Sequence, residues 1–168
     1  MQWLSLFTLI DQLNVGSDEH RQNVEHVIWE AFGVTRAIVA LDMSNFSLFV
    51  RRNGILPYLC KVRRMQQLTS PIVLACRGEI VKYEADNMIA VFADCADAVT
   101  AAVQINQACE RLKATADASQ HFAVSIGIDY GKFLLIPNED CFGDAVNRAH
   151  KLGEDLARGG EVLVTQDV

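Results

Sequence analysis

The sequence contains no C-x-x-C pair, no histidines at metal-ligand spacing, and no apolar run near the roughly 20 residues a membrane-spanning helix needs. Its five cysteines (Cys60, Cys76, Cys95, Cys109, Cys141) are scattered, four of them inside apolar periodic stretches. They read as buried thiols in a reducing compartment, not as a disulfide framework or a zinc site. His20, His26, His121 and His150 read as surface or helix residues. Residues 1–13 are apolar, yet Met1-Gln2-Trp3 lacks the basic start of a signal peptide and no cleavage-type small-residue site follows. A soluble, cytoplasmic protein is expected. Positive charge is also scarce: 15 Lys and Arg face 21 Asp and Glu, a net charge of −6. That balance argues against gripping a nucleic-acid backbone. It leaves room for one metal-bound nucleotide, which needs only local positive charge.

What remains is ordinary globular material, 51% hydrophobic and 21% charged over 168 residues. This length suits one domain with a full core, and no repeat, low-complexity tract or linker divides it. Trp3, Leu6, Phe7, Ile10 and Leu13 recur at helical spacing, and their apolar face suits either the chain's own core or a partner chain. Ser17 and Asp18 can cap a second helix with Val24, Val27, Ile28, Ala31 and Phe32 as its buried stripe. Residues 37–41 form an uninterrupted apolar run, as expected of a strand covered on both faces. Helices are predicted over 46–52, 57–68, 94–112 and 143–157. Strand pairs are predicted over 79–83 with 88–92, and over 122–129 with 132–136 around Tyr130-Gly131. A short strand over 161–165 follows. The order predicts an α+β domain: a mixed sheet with helices packed on one side.

Asp42 directly follows the 37–41 strand, and Ser44, Asn45 and Phe46 lead into a helix start, which offers free N–H groups to anionic oxygens. Asp86 sits at a hairpin tip. Two carboxylates at the ends of buried elements can hold divalent metal against a triphosphate. The same spacing is also served by Asp42 capping a helix and Asp86 serving a turn. Strand alternation places Lys82 on one face with Glu84 and Asp86, either exposed or donating to a purine. Asn147 and Lys151 lie one helical turn apart, either on a solvated face or together on a phosphate.

In order and spacing, these segments resemble the catalytic domain of class III nucleotide cyclases. The resemblance rests on Asp42-x-x-x-Phe46-Ser47, Val81-Lys82-x-x-Ala85-Asp86, Ser125-Ile126-Gly127-Ile128-x-x-Gly131 and Asp140-x-x-Gly143-x-x-Val146-Asn147, and spans about residues 36–165. It implies a ferredoxin-like, mainly antiparallel sheet with helices packed on it, and a head-to-tail homodimer with shared sites. It further implies that Asp42, Asp86 and the Met43 carbonyl hold two divalent cations, Mg or Mn. Ser44, Asn45, Phe46 and Ser47 would hold the phosphates, Lys82 and Asp140 the base, and Asn147 and Lys151 the reacting centre. A lysine that donates and an aspartate that accepts suit adenine, so the implied activity is adenylate cyclase acting on ATP. A weakly active or inactive cyclase-like regulatory module is the alternative. Residues 1–35 are expected to be a helical connector to an upstream regulatory domain or partner. Residues 36–168 are expected to be the catalytic domain, apparently truncated at its C-terminal end, where the family has further strands and a triphosphate-binding lysine. Two departures from the pattern are Ala85, where glycine is usual, and Lys151, where arginine is usual. The basic group Arg51, Arg52, Lys61, Arg63 and Arg64 reads as a solvated helix face or a partner contact.

Overall fold

The computed structural model describes residues 2–44, 46–115, 117 and 121–168, without the side chains of residues 2–5 and 46–48. Its centre is β1 (Gly33–Met43), whose Ala37, Ile38, Val39, Ala40 and Leu41 are all buried. β1 pairs antiparallel on one side with β3 (Asn87–Phe92) and on the other with β4 (Val124–Ile136). β2 (Glu79–Glu84) completes the edge beyond β3. The far edge of β4 carries β5 (Asp140–Phe142), antiparallel, and β6 (Val162–Val164), parallel. The sheet order β2-β3-β1-β4, with helical crossovers after β1 and β3, is the ferredoxin-like arrangement.

Strand alternation divides the core. Ala37, Val39, Leu41 and Met43 face α4 (Ile55–Ala75) and α5 (Cys95–Thr115). Ile38 and Ala40 face α6 (Asp144–His150), with Ala145, Val146 and Ala149 packed on them. Helices therefore cover both faces, not the single face expected from element order. α4 and α5 are the crossovers of the ferredoxin-like unit. α6 follows β5 and folds back over the opposite side, which the apolar alternate residues of β1 require. α3 (Phe46–Asn53) is short and meets α4 at Gly54.

Two further expectations are corrected. Tyr130-Gly131 is not a turn: β4 runs through it as one strand, because β1 pairs with it continuously from Gly33↔Leu134 to Met43↔Val124. The hairpin is instead β4–β5, turning at Asn138, whose φ is +60°. α4 also continues through Pro71 to Ala75, where the fully buried Val73 holds it against the core.

α1 (Gln2–Leu13) and α2 (Asp18–Phe32) pack at the far end of β4, with Leu6, Val24, Ile28 and Phe32 against Ile136. Leu6 thus docks on the chain's own body. Ser17 caps α2, its hydroxyl accepting from the His20 amide at 3.3 Å.

Past His150 the helix widens into a π-helical turn, Lys151–Leu156. Gly153 lies so close to β1 that a Cβ would stand 2.7 Å from the Ala40 carbonyl oxygen. A Cβ at Gly127 would stand 2.1 Å from the Ala149 carbonyl oxygen and 2.5 Å from the Gly153 nitrogen. Backbone cannot retreat as a flexible side chain can, so Gly127→Ala is expected to cost about 3 kcal/mol. The check is the urea midpoint of unfolding at unchanged m-value.

Candidate functional site

β1 leaves its partner at Leu41↔Met88, so Asp42 and the β2–β3 turn meet at the same end of the sheet. Ala85 in that turn has φ +51°, a left-handed conformation that explains a preference for glycine there. Asp86 is 7% exposed. Burial first, then the charges of Asp86 and Glu154, push the Asp42 carboxyl up from 3.8 to about 6. A hydrogen bond from the Met43 amide opposes them. Tyr58 of α4, 3% exposed, stands against the pair; burial and then the charge of Asp86 raise its phenol, followed by a hydrogen bond with Asp86 and the charge of Asp42. The structure therefore brings Asp42 and Asp86 together and adds Tyr58 and Glu154. Neither addition carries a sequence signal: Tyr58 is one apolar position among many, and Glu154 is aimed by the π-helical turn. Glu154 accepts from Asn87 Nδ2 at 3.4 Å and lies 2.6 Å from His150 Nδ1.

Among the described residues no group of three or more His, Cys, Asp or Glu is arranged to hold a metal ion. Two close carboxylates with mutually unfavourable charge suit a divalent cation whose remaining ligands are water and phosphate, the usual manner of Mg²⁺ binding. The donor set fits such a cation and forms no closed cage.

The second cluster lies on the α6 face. The Lys82 amine is 3.0 Å from Asp140 Oδ1 and 3.0 Å from Glu84 Oε2. Burial lowers the Lys82 pKa, but hydrogen bonds to Glu84 and Asp140 outweigh it and leave the pKa raised. A bulge makes this meeting possible. Pairing shifts between Ile80 and Lys82, leaving Val81 as the extra residue. Ile80 packs toward α4 and α5, Val81 toward α6, and Tyr83 again toward α4. Without the extra residue, Lys82 would follow Ile80 onto the other face. Asp140 arrives on β5, and its Oδ1 also accepts from the Cys141 amide at 2.9 Å. A cavity of about 250 Å³ is lined by Lys82, Asn87, Asp140, Asn147 and His150. Asn87 Oδ1 is buried there without a hydrogen-bond partner among the described residues. Lys151 is exposed at the start of the π-helical turn. Arg148, beside Asn147, anchors α6 to the fully buried Asp129 through a 2.6 Å ion pair.

Of the residues expected to hold phosphate, Asn45 and the side chains of Phe46 and Ser47 lie outside the described residues. The Ser44 amide donates to the Ala123 carbonyl at 2.9 Å, so it is already engaged. Beside Ser44 lies a cavity of about 280 Å³, also lined by Met43, Tyr58 and Lys61. The Lys61 amine sits 4.1 Å over the Phe49 ring and donates to the His121 carbonyl at 2.5 Å; burial lowers its pKa. Cys109 and Cys141 are buried thiols, pushed up by burial to about 11 and about 12. Cys60 is exposed, contrary to the expectation for cysteines in apolar stretches.

Solved structures of nucleotide cyclases share this fold. An adenylate/guanylate cyclase/hydrolase from Silicibacter pomeroyi aligns at 31% identity over 79% of this chain and 75% of its own, with a TM-score of 0.65. A bacterial light-regulated adenylyl cyclase aligns at 23% identity over 71% and 69%, TM-score 0.65. The guanylate cyclase domain of RhGC from Catenaria anguillulae, in complex with GTP, aligns at 18% over 79% of each chain, TM-score 0.67. No protein-family profile and no curated protein sequence matches. The chain belongs to the class III nucleotide cyclase catalytic domains.

The raised Asp42 carboxyl has a consequence for stability. The folded state holds the proton up to about pH 6, the unfolded chain only to about 3.8. This contribution is complete below the lower value and is lost as pH rises through the upper one. Asp42→Asn is therefore expected to be more stable than the parent above about pH 7 without divalent cation, and equal to it only below about pH 3.8, where the parent carboxyl is protonated in both states. Thermal melts across pH, with chelator present, measure the crossover.

Proposed function

We propose that this chain is an adenylate cyclase that converts ATP to 3′,5′-cyclic AMP and pyrophosphate at a site shared between two copies. The observation that supports adenine is the Lys82–Asp140 pair, held at 3.0 Å in a cavity it shares with Asn147. An ammonium has three donors, of which Glu84 and Asp140 use two, and the Asp140 carboxylate keeps spare acceptor sites. The third donor suits the adenine N1 acceptor, and the spare carboxylate oxygen suits the 6-amino group. Guanine, with a donor at N1 and an acceptor at O6, meets that order reversed.

Asp42, Asp86 and the Met43 carbonyl would hold two divalent cations, Mg or Mn. When bound, such cations lower the pKa of a coordinated hydroxyl and neutralise charge on phosphoryl oxygens. The ribose 3′-oxygen attacks the α-phosphorus, the bond from that phosphorus to the bridging oxygen breaks, and pyrophosphate leaves with the electron pair. The hydroxyl proton passes to solvent. In this reading one copy supplies Asp42, Asp86, Ser44, Asn45, Phe46 and Ser47. Its partner supplies Lys82, Asp140, Asn147 and Lys151. Asn147 orients the ribose and Lys151 meets the pentavalent phosphate as a point charge, without the planar fork of an arginine. Lys61, which lines the cavity beside Ser44, would supply a cation to the leaving phosphates in this reading. The helices α1 and α2 act as a connector from an upstream regulatory domain or partner; residues 33–35, expected to belong to it, are the start of β1.

A nucleotide-binding module of low turnover is the second reading. It is supported by Lys151 and by the engagement of the Ser44 amide with Ala123.

Two measurements separate these. Asp42→Ala and Asn147→Ala are each expected to abolish cyclic AMP formation from ATP and Mn²⁺, and mixing the two variants to restore part of it, because each hybrid dimer keeps one intact site. Product from either variant alone, or none from the mixture of a demonstrated dimer, refutes the shared site. Competition between ATP and GTP is expected to favour ATP by roughly 100-fold, the scale of two mispaired buried hydrogen bonds. A Lys82→Glu, Asp140→Cys double variant is expected to lose that preference.

A further inference from the structure

Residues 43–78 hold six of the fifteen lysines and arginines and none of the twenty-one aspartates and glutamates. That tract is structural as well as compositional: it comprises α3, the corner at Gly54 and α4. Arg77 lies past the far end of α4 and is paired with Asp97, whereas Arg51, Arg52 and Arg63 flank the corner at Gly54. The outward turn of α4 there carries Ile55 at 53% exposure, Leu56 at 71% and Leu59 at 49%. Leu56 is more exposed than any other large hydrophobic residue described. Arg51 and Arg52 are exposed at the end of α3, and Arg63 is exposed one turn beyond Leu59. Tyr58 and Val62 point the other way, into the core.

The shallow hollow over this face is lined by α4 alone, including Leu56, Leu59, Cys60 and Arg63. No second element stands opposite this face, so it is open to a flat surface as wide as a bilayer. Apolar side chains ringed by arginines, on a helix too polar to span, match the chemistry of interfacial attachment to anionic lipid. Among the described residues no helix is long and apolar enough to cross a membrane, so the contact is peripheral.

We propose that the α3–α4 corner is a docking surface for an anionic lipid bilayer. Ile55, Leu56 and Leu59 enter the boundary between headgroups and acyl chains. Arg51, Arg52 and Arg63 lie at the level of the lipid phosphates. The attachment is weak, reversible and salt-sensitive, because a few apolar side chains and charges at a surface supply it. It is independent of the catalytic reading, since none of these side chains has a role there.

Co-sedimentation of the full chain with vesicles of phosphatidylcholine, with and without phosphatidylglycerol, tests it. Partition is expected only with phosphatidylglycerol present, and is expected to fall as salt is raised. Arg51→Gln and Arg52→Gln should each weaken partition about fivefold. Leu56→Asp should abolish it, with an unchanged circular-dichroism melt because the side chain stands in solvent. Absence of binding to the anionic vesicles at low salt would overturn the proposal. So would equal binding to pure phosphatidylcholine, or a Leu56→Asp variant that binds like the parent. Sedimentation velocity without lipid adds the remaining outcome. A self-associated species that Leu56→Asp dissociates would assign the face to a second copy and reject the bilayer.

Discussion

The hydrogen-bond ladder of β1 between β3 and β4 is the constraint on which the rest of this domain depends. β1 is paired with β4 along its whole length, and its apolar residues are buried on both faces. A strand covered in this way cannot slip by one residue without exchanging its two sets of side chains between two different cores. The register therefore fixes where the strand ends, and with it where Asp42 stands relative to the β2–β3 turn. Burial at that point then raises the Asp42 carboxyl, with Asp86 and Glu154 adding to it. Concentrated negative charge at the edge of a low-dielectric core is unfavourable by itself, and a cation relieves it.

The other half of the site depends on a local irregularity. β2 is an edge strand, and edge strands tolerate an extra residue that a central strand would not. The bulge at Val81 changes the phase of the strand, so Lys82 meets Asp140 on the α6 face while Tyr83 keeps its contact with Thr69 at 2.8 Å. α6 and the π-helical turn are held against the same face by the absence of side chains at Gly127 and Gly153. π-Helical turns recur at functional sites because they re-aim a side chain within a helix. Here the turn carries Glu154 to Asn87 and toward Asp42.

Much of this architecture was legible in the residues. The apolar run of β1, the β2–β3 hairpin, the long α5 and the helix after Gly143 all follow from periodicity and turn chemistry. The expectation of a turn at Tyr130-Gly131 failed because Tyr-Gly suits a turn only where no neighbouring strand claims the backbone, and β1 claims it. The one-sided sheet failed because element order does not tell which face a late helix covers. Tyr58, Glu154 and Asn87 escaped notice because each is made relevant by neighbours far away in sequence.

The sequence by itself determined the alternation of elements, the carboxylates that end two of them, the lysine and the later aspartate, and the acid-free tract of residues 43–78. These are local properties, written in spacing and residue type, and they survive any arrangement of the pieces. Tertiary structure alone decided which residues meet: that Asp42 and Asp86 share an end of the sheet, that the bulge turns Lys82 toward Asp140, and that Leu56 faces outward. Such meetings depend on strand order, register and the side of a sheet a helix covers. Those are settled by burying the most apolar surface at once, a property of the whole chain that no short segment contains.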